Sequence, residues 1–206
     1  MIYGNIFLKE EYGYIDQSKD FIYNLDKFET KETNILFITG YSGSGKSTLS
    51  RELAKYYNCE LIEYDNISFN KTRDYSDQPL VKKFLNSPKG KLIKGKKDLD
   101  MSLKLFTDLV DWINENDYRV IIEGMQVFMV VLEGIITPDY FKKYAFIIKN
   151  TDMYTSTKRA ITRDFIDKYD KIDFEIFKKM VKRVSNNIKY KSQNDKTLNI
   201  IKKSLL

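Results

Sequence analysis

The chain has 206 residues, 42% of them hydrophobic and 31% charged, which suits one globular domain with a sizeable core, with or without an extension. It contains no histidine and one cysteine. Imidazole general bases, His-ligated zinc, Ser-His-Asp triads and an internal disulfide framework are therefore excluded. The net charge of +6 fits an anionic substrate or a nucleic acid, or a Lys-rich composition spread along the chain.

Residues 1–33 read as an N-terminal extension. The opening MIYGNIFLKEEYGYID lacks the basic-then-apolar layout of a secretory signal. No apolar run approaches the roughly 20 residues a membrane span needs. The lone Cys59, read as a packing residue, fits a reducing compartment. A cytoplasmic protein with no membrane partner is expected. In KDFIYNLDKF, residues Phe21, Ile22, Leu25 and Phe28 recur at helical spacing. This predicts a helix that packs on the core or covers an edge.

The apolar run Ile35 to Thr39 reads as the first buried strand. It leads straight into Gly40, Tyr41, Ser42, Gly43, Ser44, Gly45, Lys46, Ser47 and Thr48. Gly, four residues, then Gly-Lys-Ser is the P-loop pattern, and each part has a physical job. Glycines let backbone N–H groups wrap a phosphate without a side chain in the way. The helix that follows adds its positive dipole end. Lys46 is expected to reach the β- and γ-phosphates, and the Ser47 hydroxyl to bind Mg²⁺. The segment STLSRELAKYYN supplies that helix, with Leu49, Leu53, Ala54 and Tyr57 on one face.

CELIEYD reads as a second strand ending near Asp65. Residues 67–98 form a polar stretch holding Lys89, Lys91, Lys94, Lys96 and Lys97. It reads as a solvated loop, or as a segment that closes over a substrate phosphate or touches nucleic acid. It lacks the aromatic interleaving of a single-strand-binding surface. DMSLKLFTDLVDWINEN predicts a helix, and YRVIIEG a third strand ending at Glu123. MQVFMVVLEGI is apolar throughout, with helix preferred to strand. YAFIIKN predicts a fourth strand. TDMYTSTKRAITRDFIDKY predicts a helix that sets Arg159 and Arg163 one turn apart, and FEIFKKMVKRVSNNIKY a further helix. The tail TLNIIKKSLL reads equally as strand or helix. Apolar strands alternating with helices predict an α/β fold: a mainly parallel sheet of four or five strands, covered on both faces.

In such sheets chemistry sits at the carboxyl ends of the strands. Asp65 stands there, as an acceptor for a hydroxyl proton or as a turn cap. Glu63 and Asp77 are secondary candidates. Glu123 stands in the place of the second P-loop acid, which holds Mg²⁺ directly or through water. A buried unpaired charge is too costly to be mere core. Arg159 and Arg163 share a helical face and would stabilise a transferring phosphoryl group, or pair with Asp164 or Asp167 on a solvated face. Lys158 is a lesser candidate.

GYSGSGKST, then YD, then VIIEG, then an Arg-bearing segment after the fourth strand resemble the P-loop kinases. Within these the order is most similar to the uridine kinase and phosphoribulokinase group, over roughly residues 34–168. Polynucleotide kinases and zeta-toxin-like kinases share the plan. The resemblance implies a three-layer P-loop NTPase sandwich over residues 34–206. An acceptor-side insertion would fall at about 67–98 and a helical lid at about 152–168. It implies ATP and Mg²⁺ as cofactors, Asp65 as base for the acceptor hydroxyl, Glu123 as the Mg²⁺-linked carboxylate, and Arg159 and Arg163 as lid cations. The extension at 1–33 departs from this plan, as does DNISFNKTRD, which lacks the usual aromatic and Arg residues after the second-strand Asp.

The expected activity is transfer of the γ-phosphate of ATP to a hydroxyl of a nucleoside, nucleotide or similar small molecule. The alternatives are a kinase of nucleic-acid ends or bases, a zeta-toxin-like sugar-nucleotide kinase, and a non-kinase P-loop ATPase. Nucleic acid ranks behind a small-molecule acceptor. A GTPase would need Asn-Lys-x-Asp, and in Asn70-Lys71-Thr72-Arg73-Asp74 the acid falls one residue too far.

Overall fold

Three runs become central strands because both of their faces are covered, so every side chain in them is buried: β2 (Ile35–Gly40), β4 (Val120–Glu123) and β5 (Ala145–Lys149). The computed structural model describes residues 20–67, 77–93, 99–124 and 142–205. The helix expected at 125–135, the segment after Asp65 at 68–76, and Lys94, Lys96 and Lys97 lie outside them. β3 (Glu60–Glu63) lies at one edge of the sheet and is only partly buried. β1 (Phe21–Tyr23) lies at the other.

The five strands run in the order β1-β5-β2-β4-β3. β3, β4, β2 and β5 are parallel neighbours, whereas β1 pairs antiparallel with β5, Phe21 opposite Ile148. The sheet is therefore mixed. The stretch read as one N-terminal helix is instead this short strand followed by the five-residue α1 (Leu25–Glu29). Pairing decides the matter, because β5 presents an open edge whose N–H and C=O groups need partners. Asn24 turns the chain between the two in the left-handed conformation.

Helices cover both faces. On one, Leu36, Ile38, Ile121, Ala145 and Ile147 meet α1 and α2 (Lys46–Tyr57) through Leu25, Phe28, Leu49 and Leu53. On the other, Phe37, Ile62, Ile122 and Phe146 meet α3 (Pro79–Asn86) and α5 (Leu99–Glu115) through Phe84, Phe106 and Leu109. Phe37 is central there, ringed by Phe146, Tyr144 and Phe106 at centroid distances of 4.9, 5.5 and 5.7 Å. The Lys-rich stretch thus contributes core: α3 buries Leu80, Val81, Phe84 and Leu85, and α4 (Pro88–Ile93) follows it. Lys89 is tied to Glu115 at the end of α5.

After β5 come α6 (Met153–Ile161), a π-helical turn (Thr162–Ile166) and α7 (Phe174–Leu205). The tail is the end of α7 and is helical. Cys59 is half-buried against the α1–α2 side, and burial pushes its thiol up to about 11, so it behaves as packing. No helix among the described residues is long and apolar enough to cross a membrane.

Candidate functional site

The carboxyl ends of β2, β3 and β4 lie side by side, and the chain leaves each with a polar residue. β2 ends at Gly40 and opens into the glycine loop, which closes at the N-terminus of α2. Gly43 and Gly45 sit at φ +85° and +90°, a conformation that side-chain-bearing residues rarely adopt. Gly45 is the N-cap of α2, and the first turn of that helix carries no acidic residue. Its unpaired N–H groups and dipole end are left without a carboxylate of their own. Ser44 N–H closes a turn onto the Tyr41 carbonyl at 3.1 Å. Ser44 is buried, and its hydroxyl has no hydrogen-bond partner among the described residues.

Lys46, the first residue of α2, is only 8% exposed. Its ammonium lies 3.3 Å from Glu123 Oε1 and 3.8 Å from Asp65 Oδ2. The Ser47 hydroxyl donates to the same Glu123 Oε1 at 3.2 Å. Lys46, Ser47, Asp65 and Glu123 therefore converge. Thr48 lies one residue further along α2 and is exposed. Glu123 closes β4 at 3% exposure. Burial pushes its carboxyl above the usual range, Lys46 opposes this, and the Asp65 charge adds to it. Asp65 sits in a 3-10 turn, Tyr64–Asn66, just beyond β3. Gly124 backs onto it: a β-carbon there would meet Asp65 Oδ1 at 2.9 Å.

The lesser candidates Glu63, Asp77 and Lys158, and the two favoured arginines, Arg159 and Arg163, have other surroundings. Glu63 takes both Nε and Nη2 of Arg51, and Asp77 is exposed. Lys158 and Arg159 are exposed in the last turn of α6. Arg163 is exposed and grips Asp164 with Nε at 2.7 Å and Nη2 at 3.1 Å.

The loop is covered from the C-terminal side of the chain, by α6, which falls within the segment 152–168 read above as a lid, and by α7, whose part here no local pattern in the sequence indicated. α6 packs on Gly43 so closely that a β-carbon there would lie 2.0 Å from the Ser156 carbonyl oxygen. Thr151 donates to the Ser44 carbonyl at 3.1 Å. Tyr41 is buried under α7, its hydroxyl 3.4 Å from the Lys191 carbonyl and from Asp195 Oδ1. Arg183 of α7 reaches Ser42 Oγ at 2.7 Å and Asp164 Oδ2 at 3.0 Å. In sequence Arg183 is one more cation beside Lys178, Lys179 and Lys182, and its loop partner is 141 residues away. No local signal separates it from a solvated face.

This arrangement can hold an anion at the loop and the α2 N-terminus, with Lys46 as counter-charge. Ser47 and Glu123 offer a hydroxyl and a carboxylate oxygen, the hard donors that Mg²⁺ takes alongside phosphate oxygens. Asp65 offers a second carboxylate, more open to water, that can accept a proton.

No family model and no curated protein matches the chain. A solved structure of an uncharacterized protein from Eubacterium ventriosum ATCC 27560 is similar over 77% of this chain and 78% of that one. The identity is 18% and the TM-score 0.38, a likeness that bears on neither activity nor site.

Proposed function

We propose that the chain is an ATP- and Mg²⁺-dependent phosphotransferase on a P-loop NTPase fold. It would move the γ-phosphoryl group to a hydroxyl of a nucleoside, nucleotide or similar small molecule. The observation that carries this reading is the convergence of Glu123 and Asp65 on Lys46, at 3.3 and 3.8 Å, beside a glycine loop that caps a helix.

In this reading the backbone N–H groups of Gly43, Gly45, Lys46 and Ser47 cradle the phosphate chain. Lys46 exchanges its two carboxylates for β- and γ-phosphate oxygens. Ser47 and Glu123 would hold Mg²⁺, which when bound neutralises charge building on the phosphates. Lys46 turning to phosphate leaves Asp65 available to take the proton of the acceptor hydroxyl. The acceptor oxygen bonds to the γ-phosphorus as the bond to the bridging oxygen breaks, and ADP leaves with that electron pair. The orphan Ser44 hydroxyl and the acid-free first turn of α2 both suit an anionic ligand.

The test is transfer of label from γ-labelled ATP with Mg²⁺ to a panel of nucleosides, nucleotides, sugar nucleotides and 5′-hydroxyl oligonucleotides. Transfer to one acceptor class, lost in Lys46→Ala and Asp65→Asn, is the expected result. Brisk phosphate release to water with no acceptor labelled, unchanged in Asp65→Asn, would sink the kinase reading and leave an ATPase.

A further inference from the structure

The geometry points to Arg183 as a further phosphate-binding cation of this site, carried to the loop by α7 and held there by Asp164 as its positioning residue. This rests on the nucleotide reading above and adds to it an element that the loop, α2 and the strand ends do not contain.

A guanidinium binds carboxylate or phosphate most tightly through two parallel donors, and the Nε/Nη2 edge is one such fork. Two other arginines use that edge in full: Arg51 on Glu63 and Arg163 on Asp164. Arg183 does not. Its Nη2 is shared between Ser42 Oγ and Asp164 Oδ2, while its Nε is buried and has no partner among the described residues. The Arg119 Nε is likewise without a partner there, but that guanidinium lies over the rings of Phe28 and Tyr57 and spends its Nη1 and Nη2 on their carbonyls, far from the loop. A buried donor on a charged group without an acceptor is costly, and such sites need a reason. The one partner that Arg183 holds in the loop is a neutral hydroxyl, on a residue between Gly40 and Gly45. A phosphate oxygen at the loop is the stronger acceptor. The guanidinium would turn from Ser42 to the phosphate, and the full fork would then be used.

Asp164 makes this possible. It already carries Arg163 through both oxygens and lends Oδ2 to Arg183. The hydrogen bonds from Arg163 hold its carboxyl below the usual range, with the Arg183 charge adding to this. It stands in the middle of the π-helical turn that follows α6. Such turns are frequent at functional sites. Arg159 and Arg163, the two arginines the sequence favours, make no such contact with the loop. Arg159 is exposed without a carboxylate partner among the described residues, and Arg163 is committed to Asp164.

The experiment is calorimetric titration of the full chain with Mg²⁺-ATP and, separately, with Mg²⁺-tripolyphosphate, which isolates the phosphate contacts. Wild type, Lys46→Ala, Arg183→Met, Arg183→Lys, Asp164→Asn and the Arg183→Met/Asp164→Asn pair are compared, with circular dichroism to confirm folding. Arg183→Met is expected to weaken both ligands about tenfold to a hundredfold, as loss of a charge-assisted contact does. Arg183→Lys recovers part of the loss and serves if Arg183→Met does not fold. Asp164→Asn weakens binding in the wild-type background but adds little to Arg183→Met, the signature of a residue acting through another. If Lys46→Ala abolishes binding while folded Arg183→Met or Arg183→Lys binds both ligands like wild type, the Arg183 assignment falls and the nucleotide reading stands. If wild type binds neither ligand, both fall.

Discussion

The backbone of Gly124 is pressed against Asp65: a β-carbon on Gly124 would lie 2.9 Å from Asp65 Oδ1 and 3.2 Å from its amide nitrogen. One strand end thus forms the wall against which the other's carboxylate rests. Gly124→Ala is expected to displace the carboxylate rather than the fold, because a side-chain tip swings away at little cost. Melting temperature and ATP affinity should stay near wild type. Labelled-phosphate transfer should fall about tenfold to a hundredfold, the range a misplaced proton acceptor costs. Undiminished transfer would take Asp65 out of the reaction.

Gly43 and Gly45 make a paired test of what the loop requires. Both hold positive φ, +85° and +90°, so alanine is strained at either. At Gly45 nothing lies within 4 Å of the added carbon, whereas at Gly43 the Ser156 carbonyl oxygen is 2.0 Å away. Gly45→Ala is expected to cost about 1–2 kcal/mol, the strain alone. Gly43→Ala must also lift α6 off the loop and should cost clearly more, with loss of ATP binding. Urea melts of the two variants check the order. Equal costs would mean that α6 is not firmly seated.

Glu123 makes stability depend on pH in a defined direction. Its carboxyl is pushed up by burial, so the folded chain holds this proton more readily than the unfolded one. The contribution is fully present below the ordinary carboxylate pKa and is lost as pH rises through the folded value. Glu123→Gln cannot ionise and lacks this dependence. The stability of the variant relative to wild type should therefore rise as the pH climbs above the ordinary carboxylate pKa. Urea denaturation at several pH values measures it, and a flat difference would overturn the assignment. Mg²⁺-dependent transfer should be lost in the same variant.

Arg119 serves as a control far from the reaction. It precedes β4, at the end opposite Glu123, and its guanidinium lies over the rings of Phe28 and Tyr57 at 4.5 and 5.2 Å. It also donates to the carbonyls of Phe28 at 2.6 Å and Tyr57 at 3.3 Å, joining α1 to α2. Arg119→Met is expected to cost about 2–3 kcal/mol from these charged hydrogen bonds and ring contacts. Transfer per folded molecule should be unchanged. A drop in turnover that outpaces the loss of folded protein would show that the site feels this end of the sheet.

The residues that converge on Lys46 were legible because each obeys a rule that acts locally. Strands buried on both faces must be apolar, so a carboxylate at the end of VIIE or ELIEYD marks itself. The glycine loop carries its spacing in one stretch. What was not legible depends on distant partners. Phe21 to Tyr23 share their spacing with a helix, and only the open edge of β5 makes them a strand. The four core residues of α3 sit among lysines and prolines that disguise their helical spacing. Arg183 differs from its basic neighbours only in what α7 happens to face.

The strand β1 also fixes an order of events. Of the described strands it is synthesised first, yet its partner β5 emerges last. The pair that fastens them, Asp20 with the buried Lys149, links residues 129 positions apart. Asp20 also receives the Asn150 amide at 2.9 Å, one residue past the β5 end that adjoins Gly40. A chain leaving the ribosome therefore carries its own edge cover unpaired until β5 has been made. Long-range closure of this kind is slow. Until it happens, the flank of the loop stays open, and a nascent chain halted before Lys149 would expose the β2 edge to other polypeptides.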